Sequence, residues 1–403
     1  LYNEVEGYNS PFATLLLEEV YISTKLNSDM IYAPTRKLLS LHRGSGLSQQ
    51  QRRSTQHYTF EIWTFLKRAK KELRYRQLVV LALGGYGKTT LLRYITLIYA
   101  KRLHYTKGVP RLIPFLIYLR QWRKILAEEN APDLPQFLCN HFIPDFGLRE
   151  KPLLAWIEGL LRKGKALILL DGFDEMPQEA RKTVSKWFGR QLQAYPESVF
   201  LLTSRPGGYR DYEAAEYPKT KLYVEPFSPD KVKEFISKWY FCQERSYRDK
   251  SDTNMDAIKA IVEERTTDLL EEIKQREELE NMAKNPLLLN MIATHHRFYH
   301  GSELPRRRSE LYQEIITMQL KDRPRAKRIQ MLLPENESQS ILQELSLAML
   351  MQNQTTISHE NLLILLKNSL KEETVEPIKF LEQIVKISEL IIEQDTGEYE
   401  FAH

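Results

Sequence analysis

The stretch between residues 78 and 93 constrains the fold of this chain more than any other. An apolar run containing two valines enters a glycine-rich turn, and the chain leaves that turn with helical spacing. The turn has the P-loop pattern Ala82-x-x-x-x-Gly87-Lys88-Thr89, with alanine at its first position instead of glycine. In such a turn the backbone N–H groups and the helix N-terminus form a concave anion site. The sequence therefore predicts a phosphate-binding strand, turn and helix.

Two side chains of this turn have the chemistry that a nucleotide requires. Lys88 is predicted to reach the β- and γ-phosphates, and the Thr89 hydroxyl to ligate Mg²⁺. The alternative is that the glycines occur by chance in a strand-turn-helix segment that binds no phosphate. The strand before the turn and the helix after it are the context that a P-loop requires, and they disfavour this alternative. The residues predicted to hold the phosphates are Gly84, Gly85, Tyr86, Gly87, Lys88, Thr89 and Thr90.

Length and composition limit the class of protein. A chain of 403 residues is long enough for two to four domains, and its 28% of charged residues is ordinary for a globular protein. A net charge of +5 is too small to imply a nucleic-acid partner. The two cysteines lack metal-ligand spacing, which favours a reducing compartment and a cytoplasmic location. No apolar run approaches the ~20 residues of a membrane span, so no membrane partner is expected.

The order of predicted elements indicates an α/β P-loop NTPase fold, a parallel sheet with helices on both faces, followed by a helical domain and a winged-helix domain. The predicted strands after the P-loop are Ile113–Leu119, Ala166–Leu170, Ser198–Thr203 and Lys221–Val224. Helical periodicity dominates from Ser228 to about Lys321, with a charged loop expected at Cys242–Met255. Helices at about Gln339–Met351, His359–Ser369 and Pro377–Ile387 then precede a hairpin that turns at Asp395–Gly397.

We expect four domains from these patterns. They are a lead-in over residues 1–75 with a short strand at Glu18–Ser23, a nucleotide-binding domain over 76–227, a helical domain over 228–330 and a winged helix over 331–403. Because the first residue is Leu1 and not methionine, we also expect the chain to be a piece of a longer protein.

Charged residues follow two of the predicted strands. Asp171 ends a buried strand, where a carboxylate in a P-loop fold holds Mg²⁺, usually through water. Asp174 or Glu175 is predicted to orient the attacking water, although these acids also suit a cap on the helix that begins near Pro177. Arg205 ends the next strand and is predicted to sense a γ-phosphate, the alternative being a surface arginine before a turn.

Two later residues are ambiguous without a family context. Pro286 either begins a helix, as prolines commonly do, or packs on a nucleotide base. His403 ends the chain on a predicted strand, and neither composition nor spacing assigns it a function.

The chain carries four motifs in order, namely Gly84-Gly-Tyr-Gly-Lys-Thr-Thr90, Leu-Asp171-Gly-Phe-Asp-Glu175, Thr203-Ser-Arg-Pro206 and Asn285-Pro-Leu-Leu-Leu289. Together they resemble the NACHT subfamily of STAND nucleotide switches, which includes NOD-like immune receptors and many bacterial proteins, cyanobacterial ones among them. The resemblance covers about Glu18 to His403, and Ala82 and Tyr86 depart from the usual P-loop.

This resemblance implies roles for individual residues. Arg205 is similar to the sensor-1 arginine, and Pro286 to a proline that packs against adenine. His403 resembles the winged-helix histidine that contacts the ADP β-phosphate in the closed state, and the family continues beyond that histidine. Tyr21 and Ile22 lie in a segment similar to a strand that lines the base.

The resemblance also implies a function. An ADP-bound, autoinhibited switch would open when ATP and Mg²⁺ replace ADP, form a self-oligomer, and reset by slow hydrolysis. It implies a role in innate immunity or anti-phage defence, with effector and sensor domains outside this chain and an activating ligand that the sequence does not identify.

Three other classes compete with this interpretation. A small-molecule kinase would need a substrate lid and an acceptor site, which the sequence does not show. An AAA+ motor would be expected to carry an arginine in the helical domain that faces the phosphates. Several arginines lie between Ser228 and Lys321, but no motif identifies one of them. A DNA-binding regulator would use the winged helix with Arg306–Arg308 and Lys321–Arg328 as phosphate contacts. The apolar segment His359–Leu366 argues against a recognition helix, so nucleic acid is a disfavoured partner.

Overall fold

A computed structural model of the chain describes residues 17–28, 59–144, 153–210, 212, 217–247, 255–299, 303–326, 329–352, 354–370, 375–388, 390–393 and 398–401. The chain divides into two compact units. The first unit comprises Leu1–Asn3 and Tyr21–Phe227, and the second comprises Glu4–Val20 and Ser228–His403. The finer division into four domains stays a prediction.

The strands and helices alternate in the first unit, and helices predominate in the second. The strands are β1 (Leu26–Ser28), β2 (Gln77–Leu81), β3 (Ile113–Tyr118), β4 (Ala166–Asp171), β5 (Val199–Ser204), β6 (Thr220–Val224), β7 (Ile357–Ser358), β8 (Ile391–Glu393) and β9 (Glu398–Phe401). The helices are α1 (Leu17–Val20), α2 (Ile62–Arg68), α3 (Lys88–Ala100), α4 (Arg123–Leu126), α5 (Leu134–Phe137), α6 (Leu154–Arg162), α7 (Gln178–Ala194), α8 (Pro206–Tyr209), α9 (Pro229–Tyr247), α10 (Met255–Lys274), α11 (Glu277–Ala283), α12 (Pro286–Phe298), α13 (Arg308–Thr317), α14 (Arg323–Ala326), α15 (Glu335–Met351), α16 (His359–Ser369) and α17 (Pro377–Gln383).

The first unit is built on one sheet with the strand order β1-β6-β2-β5-β4-β3. Strands β2 to β6 pair in parallel, as the alternation of strands and helices predicts. β1 pairs antiparallel with β6, so the prediction of a wholly parallel sheet is wrong at this strand. The segment has only three residues, of which Asn27 and Ser28 are polar, and therefore carries no strand pattern.

Hydrophobic side chains leave both faces of this sheet. In β4, Ile168 and Leu170 join a cluster that includes Trp187 of α7. Leu167 and Leu169 of the same strand join a different cluster, to which α3 contributes. Because successive residues of a strand point to opposite faces, the two clusters lie on opposite faces and helices cover both.

The C-terminal part of the second unit has its own small sheet, with the order β7-β9-β8 and antiparallel pairing throughout. Its hydrophobic cluster draws side chains from α15, α16, α17 and this sheet, among them Leu345, Leu366, Phe380 and Tyr399. The helices α15 to α17 agree with the predicted ones to within a few residues. The predicted turn at Asp395–Gly397 lies outside the described residues.

Two predicted segments differ from the structure. The strand expected at Glu18–Ser23 is wrong, because Leu17–Val20 form a short helix and residues 21–25 form neither helix nor strand. Leu17 and Val20 are its buried residues, a spacing of three that a helix places on one side. The loop expected from Cys242 is wrong for residues 242–247, which belong to α9, and residues 248–254 lie outside the described residues.

Among the described residues, none of the helices combines the length and the apolar character that crossing a bilayer demands. Cys139 and Cys242 are both buried and unbridged.

Candidate nucleotide-binding site

The loop between β2 and α3 has the backbone geometry of an anion site. Gly85 and Gly87 have φ values of 79° and 76°, in the left-handed region that glycine adopts without steric cost. Gly87 also caps α3, so the helix begins at Lys88. The N-terminal amides of α3, including those of Thr89 and Thr90, have no partner within the helix and are suited to bind phosphate oxygens.

Lys88 is folded back over this loop. Its Nζ donates to the carbonyl oxygens of Ala82, at 3.0 Å, and Leu83, at 3.2 Å. Burial lowers the pKa of Lys88, the charge of Asp174 opposes this effect, and the charge of Arg205 lowers the pKa further. A bound polyphosphate would supply the anion that stabilises the ammonium form.

Asp171, the last residue of β4, bonds to both the P-loop helix α3 and strand β5. The Thr89 hydroxyl donates to Asp171 Oδ2 at 2.6 Å, and the Thr203 hydroxyl donates to Oδ1 of the same carboxylate. The Gly172 amide donates to Thr203 Oγ1 at 2.9 Å. Because β4 and β5 pair in parallel with Leu170 opposite Leu202, these strands end beside each other. Mg²⁺ prefers oxygen ligands. The Thr89 hydroxyl and the Asp171 carboxylate, whose oxygens lie 2.6 Å apart, are ligands of that kind.

Asp174 holds Arg205 by two contacts. The Arg205 amide donates to Oδ1 at 2.7 Å, and Arg205 Nε lies 3.1 Å from Oδ2. The Asp174 side chain is 10% exposed whereas that of Arg205 is 60% exposed, so the guanidinium is open to a ligand. Arg205 Cζ lies 3.7 Å from the position that a Cβ would occupy at Gly84, which places the guanidinium beside the P-loop. Arg181 Nη2 donates to the Asp174 carbonyl at 2.7 Å.

A glycine of α8 packs directly behind Asp174. A Cβ added at Gly208 would lie 2.4 Å from Asp174 Cβ and 2.8 Å from Asp174 Cα. At the neighbouring Gly207, an added Cβ would meet no atom within 4 Å. The position of Asp174 therefore depends on the absence of a side chain at Gly208.

Glu175 has a different environment from Asp174. Its side chain is 38% exposed, and its Oε2 lies 3.6 Å from Arg120 Nη1. It folds over Gly172, whose φ is 79° and whose added Cβ would lie 2.8 Å from the Glu175 carboxyl carbon. Of the two acids, Glu175 keeps the more accessible carboxylate.

The remaining predicted residues lie outside the loops and strand ends described above. The Tyr21 ring stacks on that of Tyr94 in α3, with centroids 3.7 Å apart, and Ile22 is buried. Pro286 begins α12 in the second unit, behind Asn285, whose side chain caps that helix. His403 lies outside the described residues. The predicted base and β-phosphate contacts of these four residues stay predictions.

Thr203, Gly208 and Arg120 are among the residues of the site that were not assigned a role from sequence. Thr203 had a usable signal, since it stands near the end of the strand beside Asp171 and carries a hydroxyl. Gly208 lies in an unremarkable Pro-Gly-Gly turn, and Arg120 in no motif, so neither contact has a local signature.

Comparison with known proteins finds one family model that matches part of the chain. The model of the NACHT domain matches residues 76–241. No curated protein matches the sequence.

Three solved structures are similar to this chain at low scores. The Aeropyrum pernix ORC1 protein in complex with DNA is 14% identical, with a TM-score of 0.34, over 91% of this chain and 92% of that one. Cdc6p from Pyrobaculum aerophilum is 9% identical, with a TM-score of 0.31, over 94% of each chain. The Aeropyrum pernix ORC2 protein, in ADPNP and ADP complexes, is 13% identical, with a TM-score of 0.29, over 81% and 83%. Scores this low carry no argument about ligands.

Proposed function

Residues 76–241 are a NACHT domain, which is a P-loop NTPase domain, and from this premise we propose that the chain is an ATP/ADP-dependent signalling switch of the STAND class. At rest the switch holds ADP and is autoinhibited. Exchange of ADP for ATP opens it and permits self-oligomerisation, and slow hydrolysis resets it. The family resemblance also supports a role in innate immunity, in bacteria as defence against phage.

The observation that carries this proposal is the pairing of Arg205 with Asp174 beside Gly84. A γ-phosphate bound at the P-loop competes with Asp174 for the exposed guanidinium, whereas ADP has no such group. A switch requires different affinities for its two states, and this competition provides them. The site is thus suited to distinguish a triphosphate from a diphosphate.

The other groups of the site divide the remaining tasks. Lys88 neutralises phosphate charge, and Thr89 and Asp171 hold Mg²⁺, which neutralises the charge that develops on the transferred phosphoryl group. Both oxygens of Asp174 are already bonded to Arg205. We therefore assign the orientation of the attacking water to Glu175, and expect hydrolysis to be slow while that acid stays paired with Arg120.

The second unit supplies the moving part in this proposal. We propose that residues 331–403 form a winged helix, which the three helices and the antiparallel order β7-β9-β8 support. Residues 228–330 are then the helical domain. In the closed state Pro286 packs on adenine and His403 contacts the β-phosphate, while Tyr21 and Ile22 line the base.

Nucleotide content and oligomeric state test this proposal directly. The purified chain is denatured and the released nucleotide identified by chromatography, and the native chain is sized by light scattering with ADP or with ATP and Mg²⁺. We expect bound ADP, and larger particles only with ATP. An absence of bound nucleotide together with fast turnover would indicate an ordinary enzyme instead.

Arg205→Gln isolates the sensing step, and Arg210→Gln is its matched control because Arg210 is an exposed arginine of the same segment. Loss of a hydrogen bond to a charged group costs about 1.5–3 kcal/mol. Arg205→Gln should therefore reduce the preference for ATP over ADP about tenfold or more in paired titrations. Equal preferences in the two variants would exclude Arg205 as the sensor.

A further inference from the structure

Three titratable side chains of the second unit, none of them assigned to nucleotide binding, converge on one another. His296 of α12 has its Nε2 3.3 Å from Asp268 Oδ2 and 3.8 Å from Glu272 Oε1, both on α10. The three ligand atoms all lie within 4.8 Å of one another. From this convergence we propose that Asp268, Glu272 and His296 form a site for a divalent transition-metal ion of the zinc class.

The local structure explains why these groups meet. Asp268 and Glu272 are four residues apart in α10, so both carboxylates project from one face of that helix. The side-chain exposures are 51% for Asp268, 31% for Glu272 and 4% for His296. The site thus has a buried imidazole at its base and a solvent-accessible carboxylate at its rim, through which an ion can enter.

The second nitrogen of the imidazole is already engaged. His296 Nδ1 lies 2.6 Å from the hydroxyl oxygen of Tyr240 in α9. When Nδ1–H donates to Tyr240, Nε2 presents its lone pair to the two carboxylates. Metal-ligating histidines commonly have their other nitrogen fixed by such a bond.

The spacing of the donors fits one ion between them. Zinc binds imidazole nitrogen and carboxylate oxygen at about 2.0–2.2 Å, so two ligands of a tetrahedral site are about 3.3–3.6 Å apart. The separations from His296 Nε2, 3.3 and 3.8 Å, are close to this range, and the two carboxylate oxygens lie within 4.8 Å of each other. One nitrogen and two oxygens leave a fourth position for water. The ion would join α10 to α12 and stabilise the helical part of the second unit.

Zinc itself is the probe for the test. The full chain is stripped with a chelator, dialysed against zinc sulfate, and analysed for bound zinc and for its melting temperature. We expect one bound zinc per chain and a higher melting temperature. Asp268→Asn and His296→Gln should each abolish the binding, and Asp268→Asn should fold because its side chain is half exposed. The matched control is Glu271→Gln, an exposed acid of the same helix, which should keep full affinity.

Tyr240→Phe separates a metal site from a simple ion pair. Loss of a bond that orients a ligand weakens metal affinity about 10–100-fold, although Tyr240 is not itself a ligand. If the wild type binds no zinc, the proposal is overturned, because the three side chains then form only an ion pair. Zinc that persists in Asp268→Asn but is lost in Asp171→Asn would also overturn it, because the ion would then occupy the nucleotide site.

Discussion

Replacing Gly208 with alanine tests whether the pairing of Asp174 with Arg205 depends on the close packing behind it. The new methyl carbon would lie 2.4 Å from Asp174 Cβ and 2.8 Å from its Cα. Carbon atoms pack at about 3.5–4.0 Å, so one of the two segments has to move by roughly an ångström. Since the obstacle is close to the backbone, a change of side-chain rotamer does not relieve it. Asp174 should then be displaced from Arg205.

Gly207→Ala gives the reference for the size of this effect. An added Cβ meets nothing within 4 Å there, so the variant should gain about 0.4–1 kcal/mol from reduced entropy of the unfolded chain. Overpacking at Gly208 should cost about 1–3 kcal/mol. Two alanines at adjacent positions of one short helix should therefore differ by about 1.5–4 kcal/mol in the free energy of unfolding.

Urea unfolding of the nucleotide-free chain measures this difference, and titration with ADP and ATP measures its consequence for sensing. We expect Gly208→Ala to be the less stable variant and to lose part of the preference for ATP, with Gly207→Ala slightly more stable than the wild type and unchanged in that preference. If Gly208→Ala is as stable as Gly207→Ala and prefers ATP equally, the packing argument is refuted.

Substitutions at Thr203 and Lys88 test the buried polar contacts of the site. Thr203→Val should destabilise the chain by about 1–3 kcal/mol, because the Asp171 carboxylate and the Gly172 amide lose a buried partner. Thr203→Ser should keep that partner. Equal urea midpoints for the two variants would contradict this expectation. Lys88→Met should abolish nucleotide binding yet raise the stability of the nucleotide-free chain at neutral pH. Burial lowers the pKa of Lys88, so the unfolded chain binds that proton more tightly, and the gain should shrink as the pH approaches about 10, the unfolded value. Thermal unfolding across that range measures it, and a variant less stable than the wild type at neutral pH would disprove the reasoning.

Much of the first unit could be predicted because its signals are local. β2, β4 and β5 are fully buried, so each is an almost uninterrupted apolar run that ends at a polar residue or a glycine-rich turn. The carboxyl ends of adjacent parallel strands lie at one edge of the sheet. For that reason Asp171 and Arg205 could be assigned to the P-loop from their places at or next to strand ends alone.

The parts that could not be predicted depend on pairing between distant segments. β1 exists because Leu26 pairs with Val224 of β6 and also bridges to Phe60, and three residues carry no periodicity of their own. Gly208 is explained by its approach to Asp174, which no spacing in the sequence encodes. The convergence of Asp268, Glu272 and His296 likewise depends on the packing of α10 against neighbouring helices, which a helical pattern does not specify.

The strand order of the larger sheet has a consequence for association between copies of this chain. Within the described residues, β3 and β1 are the outermost strands, and an exposed outer strand is a template for pairing with another chain. Pro114 in β3 has no backbone N–H to donate, and β1 is only three residues long. Both borders are therefore poor templates for adding a strand. In the proposed assembly of activated copies, contacts should therefore form through helices and loops and leave the sheet at its present width.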